Sequence, residues 1–334
     1  MLTAAPGLER VAAEEASEKT GAEIRAVMRG KIFVSAGGAF DYGSLRCADN
    51  VYEYLQTLEV GRTRGDLNDL KSLPPRAFEN AASKINRAFK INASVAGRHN
   101  YNRFEAAAAF AEALRGRFGF ERAEDGECET ELRLDAVEGT FLLSRKLTGA
   151  EFRFRGSARI FSRAAIRPTV AHALARLTRP EERDVFLDPF CGSGTILCER
   201  AEYPFKEIIG ADKNKAAVEA AESNFNPLPQ NIKLICRGIE DLALPPCGVD
   251  AVATNPPWDM QIETGGLFSL YNLFLKRCGE SLSQNGRVVA LTPHSDAITA
   301  AAENHGFTIE NLCAVSLHGT LCGVYKIVRR SSFG

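Results

Sequence analysis

The hydrophobic and polar positions of the chain change rhythm about half-way along it. Residues 7–20 carry Leu8, Val11, Ala12 and Ala16 at helical spacing before Gly21, which predicts an amphipathic helix. KIFVSA, between Gly30 and Gly37, reads as a strand. Residues 45–59 predict a helix, 61–76 a polar connection ending in Pro74-Pro75, and 76–88 a helix started by those prolines. KINASVAG (90–97) predicts a strand and FEAAAAFAEALRGRFG (104–119) an Ala-rich helix closed by Gly119. ETELRLDAVEGTFLLSRKL (129–147) alternates on both sides of Glu138-Gly139, the pattern of a hairpin. Helices and strands mixed without a βαβ rhythm predict an α+β region over 1–150.

After about residue 160 the alternation becomes regular. AAIRPTVAHALARLT predicts a helix; DVFLDPF a buried strand; TILCERAEY, after the CGSGT turn, a helix. EIIGAD, IKLICRG, VDAVATNPPW and GRVVALTP read as further strands, separated by KAAVEAAESNF and LFSLYNLFLKRCGESL as helices. A helix over 295–305 and two last strands around Gly319 complete the pattern. This predicts a doubly wound α/β sheet.

Composition narrows the class. With 334 residues, 45% of them hydrophobic and 25% charged, the chain is long enough for two soluble cores. No apolar run approaches the roughly 18 residues of a membrane span. Five Glu fall within the first 23 residues, unlike a signal or transit peptide. Nine Cys without a C-x-x-C pair fit reduced thiols in a cytoplasmic protein and argue against zinc or any other metal, and against disulfides. A net charge of −1 hides an uneven distribution: residues 84–117 carry +5, 145–167 carry +6, and 121–138 hold eight acids against two Arg. Such blocks allow a basic face for a polyanion, although charge runs are more often solvated surface.

The candidate chemistry sits at strand ends. The first strand of the second half closes on Asp188-Pro189-Phe190-Cys191-Gly192-Ser193-Gly194-Thr195. Two glycines permit a sharp turn and close approach to a ligand, and the Lys of a phosphate loop is missing. An acid suits an ammonium group. Asp212 ends the next strand, where a carboxylate accepts from ribose hydroxyls. Acid, Gly loop and acid fit S-adenosylmethionine better than a nicotinamide dinucleotide. The fourth strand runs into Asn255-Pro256-Pro257-Trp258. Its prolines restrict the backbone, so the Asn255 oxygen and the Pro256 carbonyl are two fixed acceptors for an exocyclic amine. Trp258, the single Trp of the chain, offers a flat surface to a base.

DPFCGSGT, GAD and NPPW, in this order, resemble the Rossmann-like S-adenosylmethionine-dependent methyltransferases of exocyclic amines. FKINASVAGRHNYNRFEAAAAFAEAL with ELRLDAVEGTFLLSRKLTG resembles a THUMP RNA-binding domain, and GLERVAAEE with RGKIFVSAG the ferredoxin-like domain that precedes it. The chain thus resembles the THUMP-containing RNA guanine-N2 methyltransferases, chiefly of tRNA. The resemblance implies a ferredoxin-like domain at 1–60, a THUMP domain at 61–150, a linker at 151–165 and a methyltransferase domain at 166–334. It implies cofactor contacts by Asp188, Phe190, Cys191, Gly192, Gly194, Thr195, Asp212, Lys213, Gly238, Ile239 and Asn255. Catalysis falls to Asn255, Pro256, Pro257 and Trp258, and RNA binding to Arg98, His99 and Arg103. One departure stands out: Gly238 occupies the place of the acid that reads the adenine amine, which leaves open whether Glu240 replaces it.

Other residues attract less weight. His294, in TPHSD, is a candidate for the pocket or simply a loop residue, and the direct attack of a guided amine requires no general base. Cys191 has no His partner in sequence reach, and Cys198 reads as a small apolar residue. Tyr101 completes a basic and aromatic cluster with Arg98, His99 and Arg103, as compatible with a solvated turn as with an RNA grip. The rivals are an adenine-N6 methyltransferase of RNA or DNA, since NPPW serves both amines, a non-catalytic RNA-binding protein on the same fold, and a small-molecule methyltransferase. The last leaves the first 150 residues idle.

Overall fold

The computed structural model describes all residues except 39, 86, 124–127, 129, 163–164, 259–265, 318 and 331–334. Arg163, one of the charges counted in the second basic block, lies outside the described residues. The chain begins with β1 (Leu2–Thr3), α1 (Glu9–Thr20), β2 (Glu23–Met28) and β3 (Lys31–Ser35). There follow β4 (Asn50–Glu59), α2 (Arg64–Asp69), α3 (Glu79–Ala82), β5 (Ala88–Ala96), α4 (Arg103–Phe118), β6 (Glu121–Arg122), β7 (Thr130–Val137) and β8 (Thr140–Lys146). The second half contains α5 (Ala150–Phe154), α6 (Pro168–Leu177), β9 (Val185–Asp188), α7 (Thr195–Arg200), β10 (Glu207–Asp212), α8 (Lys215–Asn224) and β11 (Ile232–Cys236). It continues through β12 (Val249–Thr254), α9 (Gly266–Ser281), β13 (Leu282–Thr292), α10 (Ser295–Asn304), β14 (Phe307–Leu317) and β15 (Thr320–Arg329).

Two compact units result: Met1–Leu2 with Asn50–Gly149, and Thr3–Asp49 with Ala150–Gly334. In the first, β4, β8 and β7 pair antiparallel, and β7, β5 and β6 pair parallel. Helix α4 covers this sheet and buries Phe110 and Leu114 against Phe89, Leu132 and Phe141. Its ends are written locally. Asn102 accepts from the N–H groups of Phe104 and Glu105 while Glu105 returns to the Asn102 N–H, and Gly119 closes the helix at φ 69°. The Glu138-Gly139 turn between β7 and β8 has φ of 52° and 90°, the primed geometry of a two-residue hairpin.

The structure differs from expectation at 45–59, where β4 replaces the expected helix. VYEYLQTLEV satisfies either period, and the strand pairing with β8 decides it. Residues 61–76 hold the capped helix α2, and the described residues of 76–87 make a 3-10 turn and the single turn α3.

The units do not divide at residue 60, the boundary the resemblance implies, but between Asp49 and Asn50. Residues 3–49 belong to the second unit because a buried polar network holds them. Glu199, fully buried on α7, pairs with Arg46 (3.0 Å), Arg155 (3.3 Å) and Arg159 (2.9 Å) and lies 3.2 Å from His172 Nδ1. Glu15 of α1 lies 3.3 Å from His172 Nε2 and accepts from the backbone N–H groups of Arg46 and Cys47. Burial raises the Glu15 carboxyl, but His172 and Lys19 outweigh it and hold it down at about 2. Asp49 likewise ties to Arg167 (2.9 Å) and Thr169 (2.6 Å). Removing one member of such a network strands the rest as buried charge, which is strongly destabilising.

The sheet of this unit runs β11-β10-β9-β12-β13-β15-β14. Strands β9 to β13 pair parallel, while β15 is antiparallel to both β13 and β14. Strand order therefore reverses between β9 and β12, which makes their carboxyl ends the topological switch point.

Candidate active site

A cavity of about 1000 Å³ opens at this switch point. It brings together Asp188 from β9, Asp212 from β10, Ile239 beyond β11 and Asn255 beyond β12. Phe190, Cys191, Gly192, Thr195, Lys213, Gly238, Pro256, Pro257 and Trp258 also line it. Of the cavity residues predicted from sequence, Gly194 alone does not. It shapes the loop instead: it caps α7 at φ 78°, and a β-carbon there would press on Ala221 Cβ at 3.0 Å. Gly192 also has positive φ, 52°, so the turn between strand and helix needs both glycines.

The two acids behave differently. Asp188 is 1% exposed; its Oδ1 accepts from Thr254 Oγ1 (2.7 Å) and the Phe190 N–H (3.1 Å). Burial raises its carboxyl to about 7, helped by the charge of Asp212 and opposed by the two donors. Neutral solution therefore leaves it partly protonated, and a cation entering the cavity would draw it into the charged form. Asp212 accepts through Oδ2 from the Gly192 N–H and through Oδ1 from the Asn214 N–H, both at 2.9 Å. Sequence reading missed this role: Asp212 braces the glycine loop as well as facing the cavity. Cys191 is 6% exposed and its thiol is pushed well up by burial and the nearby carboxylates, so it is no nucleophile.

On the opposite wall, Asn255 Oδ1 is buried without a hydrogen-bond partner among the described residues. A buried acceptor costs free energy unless a donor reaches it, so this atom marks where a ligand N–H fits. Trp258 is held from both sides: its Nε1 donates to the Leu291 carbonyl (3.4 Å), and its own carbonyl lies 3.1 Å from His294 Nε2. His294 is thus a strut for the NPPW loop and not a lining residue. Its backbone N–H bonds to Thr292 Oγ1, which Tyr271 also contacts at 2.7 Å. Sequence reading also missed Thr254, whose only signal is a polar residue at the end of a buried strand.

The basic cluster lies in the first unit. Arg98 and Arg103 are exposed, and the Arg103 guanidinium sits 4.7 Å from the ring centroid of Phe104, itself 66% exposed. His99 Nε2 accepts from the Gly139 N–H, and Tyr101 is buried with its hydroxyl donating to the Gly61 carbonyl. These two hold the loop, while the two arginines face solvent.

Residues 155–322 match the family described as UPF0020, RMKL-like, methyltransferase domain. A "tRNA (guanine(6)-N2)-methyltransferase" of Methanocaldococcus jannaschii is 22% identical over 98% of both chains. A "tRNA (guanine(10)-N2)-dimethyltransferase" of Methanothermobacter thermautotrophicus is 27% identical over 60% of this chain and 61% of its own length. Among solved structures, TrmN from Thermus thermophilus has the same fold, with a TM-score of 0.77, 24% identity and 98% of each chain covered.

Proposed function

Because the chain belongs to the UPF0020 family of RMKL-like methyltransferase domains, we propose that it is an S-adenosylmethionine-dependent RNA methyltransferase acting on the exocyclic N2 amine of a guanosine, in tRNA. The observation that carries this reading is the buried, unpartnered Asn255 Oδ1 in the wall of the cavity. The names of the two archaeal relatives favour guanine N2 over adenine N6.

The residues present fit the cofactor. The cavity is of the size that small-molecule sites have. Asp188 and the Gly192–Gly194 loop would hold the methionine part, Asp212 the ribose and Ile239 the adenine. When bound, S-adenosylmethionine supplies an electrophilic methyl group. The chain's own part is to orient the acceptor. Asn255 Oδ1 and the Pro256 carbonyl each take one N–H of the amine, which leaves the nitrogen lone pair free to attack. Trp258, fixed through Leu291 and His294, stacks on a base taken out of its RNA helix. Proximity and orientation supply most of the rate. The proton lost by the methylated amine passes to water, so no side-chain base is needed.

Residues 61–150, as a THUMP-like module, would bind the RNA, and the protein would work in the cytoplasm. Among the described residues no helix is long and apolar enough to cross a membrane. Residues 161–334 net −2, so affinity for phosphates must come from elsewhere in the chain. Replacing Arg98 and Arg103 together with Ala is expected to weaken RNA binding and flatten its salt dependence. The log–log slope should fall by roughly 0.7–0.9 for each phosphate no longer neutralised, with cofactor affinity unchanged. Binding titrations at several salt concentrations check this, and an unaltered slope removes the two arginines from the RNA surface.

Asp212→Ala is expected to weaken cofactor binding by about 1.5–3 kcal/mol, the value of hydrogen bonds to a charged group, and to loosen the glycine loop. Calorimetry measures the first effect; an unchanged affinity would send the ribose elsewhere. The reading as a whole is tested by incubating the full chain with labelled S-adenosylmethionine and unmodified tRNA, then identifying the nucleoside. N2-methylguanosine is the expected product, and N6-methyladenosine in its place would overturn the assignment.

A further inference from the structure

We propose that Asn224 is a positioning residue for methyl transfer: its carboxamide fastens the segment 160–162 to the glycine loop and so sets two walls of the cavity against each other. The proposal rests on the reading of the cavity as the site of transfer. Asn224 does not itself line the cavity, so its effect passes through the backbone that it holds.

The need for a brace follows from the loop. Gly192 and Gly194 have φ of 52° and 78°, and glycine populates this region about as readily as the usual one. Ser193 between them is therefore held by its partners and not by the preference of its neighbours. Asp212 braces the loop on one side, through the Gly192 N–H. Helix α8 braces it on another. Ala221 of α8 stands so close that a β-carbon on Gly194 would lie 3.0 Å from Ala221 Cβ. Asn224 is three positions further along α8 and on the same face, which brings its side chain to the Ser193 carbonyl.

The carboxamide then bonds in both directions. Its Nδ2 donates to the carbonyls of Ser193 at 2.9 Å and Ile160 at 2.8 Å, and its Oδ1 accepts from the Ile160 N–H at 2.8 Å. Two carbonyls at one end and an N–H at the other are a set that an amide satisfies and a carboxylate does not. The Ser162 N–H adds a bond to Ser193 Oγ at 3.2 Å, and Ser193 is 1% exposed. Hydrophobic burial does little to place this segment, since Ile160 is 47% exposed and Phe161 37%. Polar bonds through one side chain decide where it stands. Ser162, Ala165, Ile166 and Arg167 line the cavity on this side, and Gly192 and Ser193 line it from the loop. Both walls thus depend on Asn224. Transfer is steep in position: a misplacement of about 1 Å can cost on the order of 10²-fold in rate.

The test uses the full chain with S-adenosylmethionine and unmodified tRNA. Asn224→Asp keeps the shape and the acceptor but turns a carboxylate toward two carbonyls. Ile160→Pro deletes the N–H at the other end of the clamp. Single-turnover rates are measured at saturating cofactor and tRNA and expressed per cofactor site titrated by calorimetry, so that unfolded chain does not count. Both variants are expected to lower the rate per site by at least about tenfold. A merely structural role would lower the melting temperature and the number of sites but leave the rate per site as in wild type. A rate per site within about threefold of wild type in Asn224→Asp overturns this proposal alone, whatever Ile160→Pro does. If Asn224→Asp does not fold, Asn224→Ala takes its place under the same criterion, and a chain that folds with neither assigns Asn224 to stability and overturns the proposal equally. Failure of the wild type to methylate tRNA overturns the functional reading, and this proposal with it.

Discussion

Asn255→Ala is expected to reduce methyl transfer by a factor on the order of 10²–10³, the loss seen when one oriented polar group at a reaction centre is removed, while cofactor affinity stays within a few-fold. The side-chain oxygen of Asn255 is the buried acceptor that no described residue satisfies. Without it one N–H of the amine is unheld and the lone pair loses its direction, a loss of orientation and not of binding. The neighbouring acceptor, the Pro256 carbonyl, is backbone and survives the substitution. The fold should survive as well, because an unsatisfied polar atom contributes nothing that Ala must replace. Single-turnover kinetics on tRNA, with cofactor binding measured by calorimetry, separates the two quantities. Turnover within about tenfold of wild type, or roughly 1.4 kcal/mol, would remove Asn255 from the reaction.

Asp188→Asn is expected to abolish measurable cofactor binding without lowering stability. The amide oxygen can keep both hydrogen bonds that Oδ1 accepts, from Thr254 and from the Phe190 N–H. What it removes is the charge. The sign of the pH effect follows from a carboxyl raised to about 7 by burial. Between about pH 4 and about pH 7 the folded chain keeps a proton that the unfolded chain releases, so this group's contribution to stability falls as pH rises through that window. The Asn variant should lose that dependence and be at least as stable as wild type at pH 7 and above. Cofactor affinity runs the other way. An ammonium partner needs the carboxylate, so wild-type affinity should rise with pH up to about 7 and level off. Below pH 7 binding should release a proton, up to one per cofactor bound. Calorimetry in buffers of different ionisation enthalpy detects that proton. Affinity independent of pH between 5.5 and 8 would place the ammonium away from Asp188.

The motifs of the second half are legible because each one is local. In Asp188 to Thr195 and in Asn255 to Trp258, the strand end, the residues that restrict or free the backbone and the chemical group all lie within a few positions. Proline fixes φ and glycine releases it whatever lies around them, so these loops could be placed at the ends of buried strands from the chain alone. The same holds for the caps of α4, where Asn102, Glu105 and Gly119 act on their own turn. Strand–helix rhythm likewise carries the doubly wound sheet without reference to strand pairing.

Partners distant in sequence decided the rest. VYEYLQTLEV is compatible with a helix and a strand, and β8, more than eighty positions on, makes it β4. Glu15 of α1 is 1% exposed because His172 and the backbone of Arg46 and Cys47, all distant in sequence, close over it. That closure draws residues 3–49 into the second unit. The ionisation of Asp188 depends on Thr254 and Asp212, and the space above Gly238 depends on where a turn sends Glu240. Conformational preference is a property of a residue and its immediate neighbours, so sequence carries it. Burial, protonation and the occupancy of a cavity wall are set by whatever the fold brings alongside, and only the tertiary structure contains that.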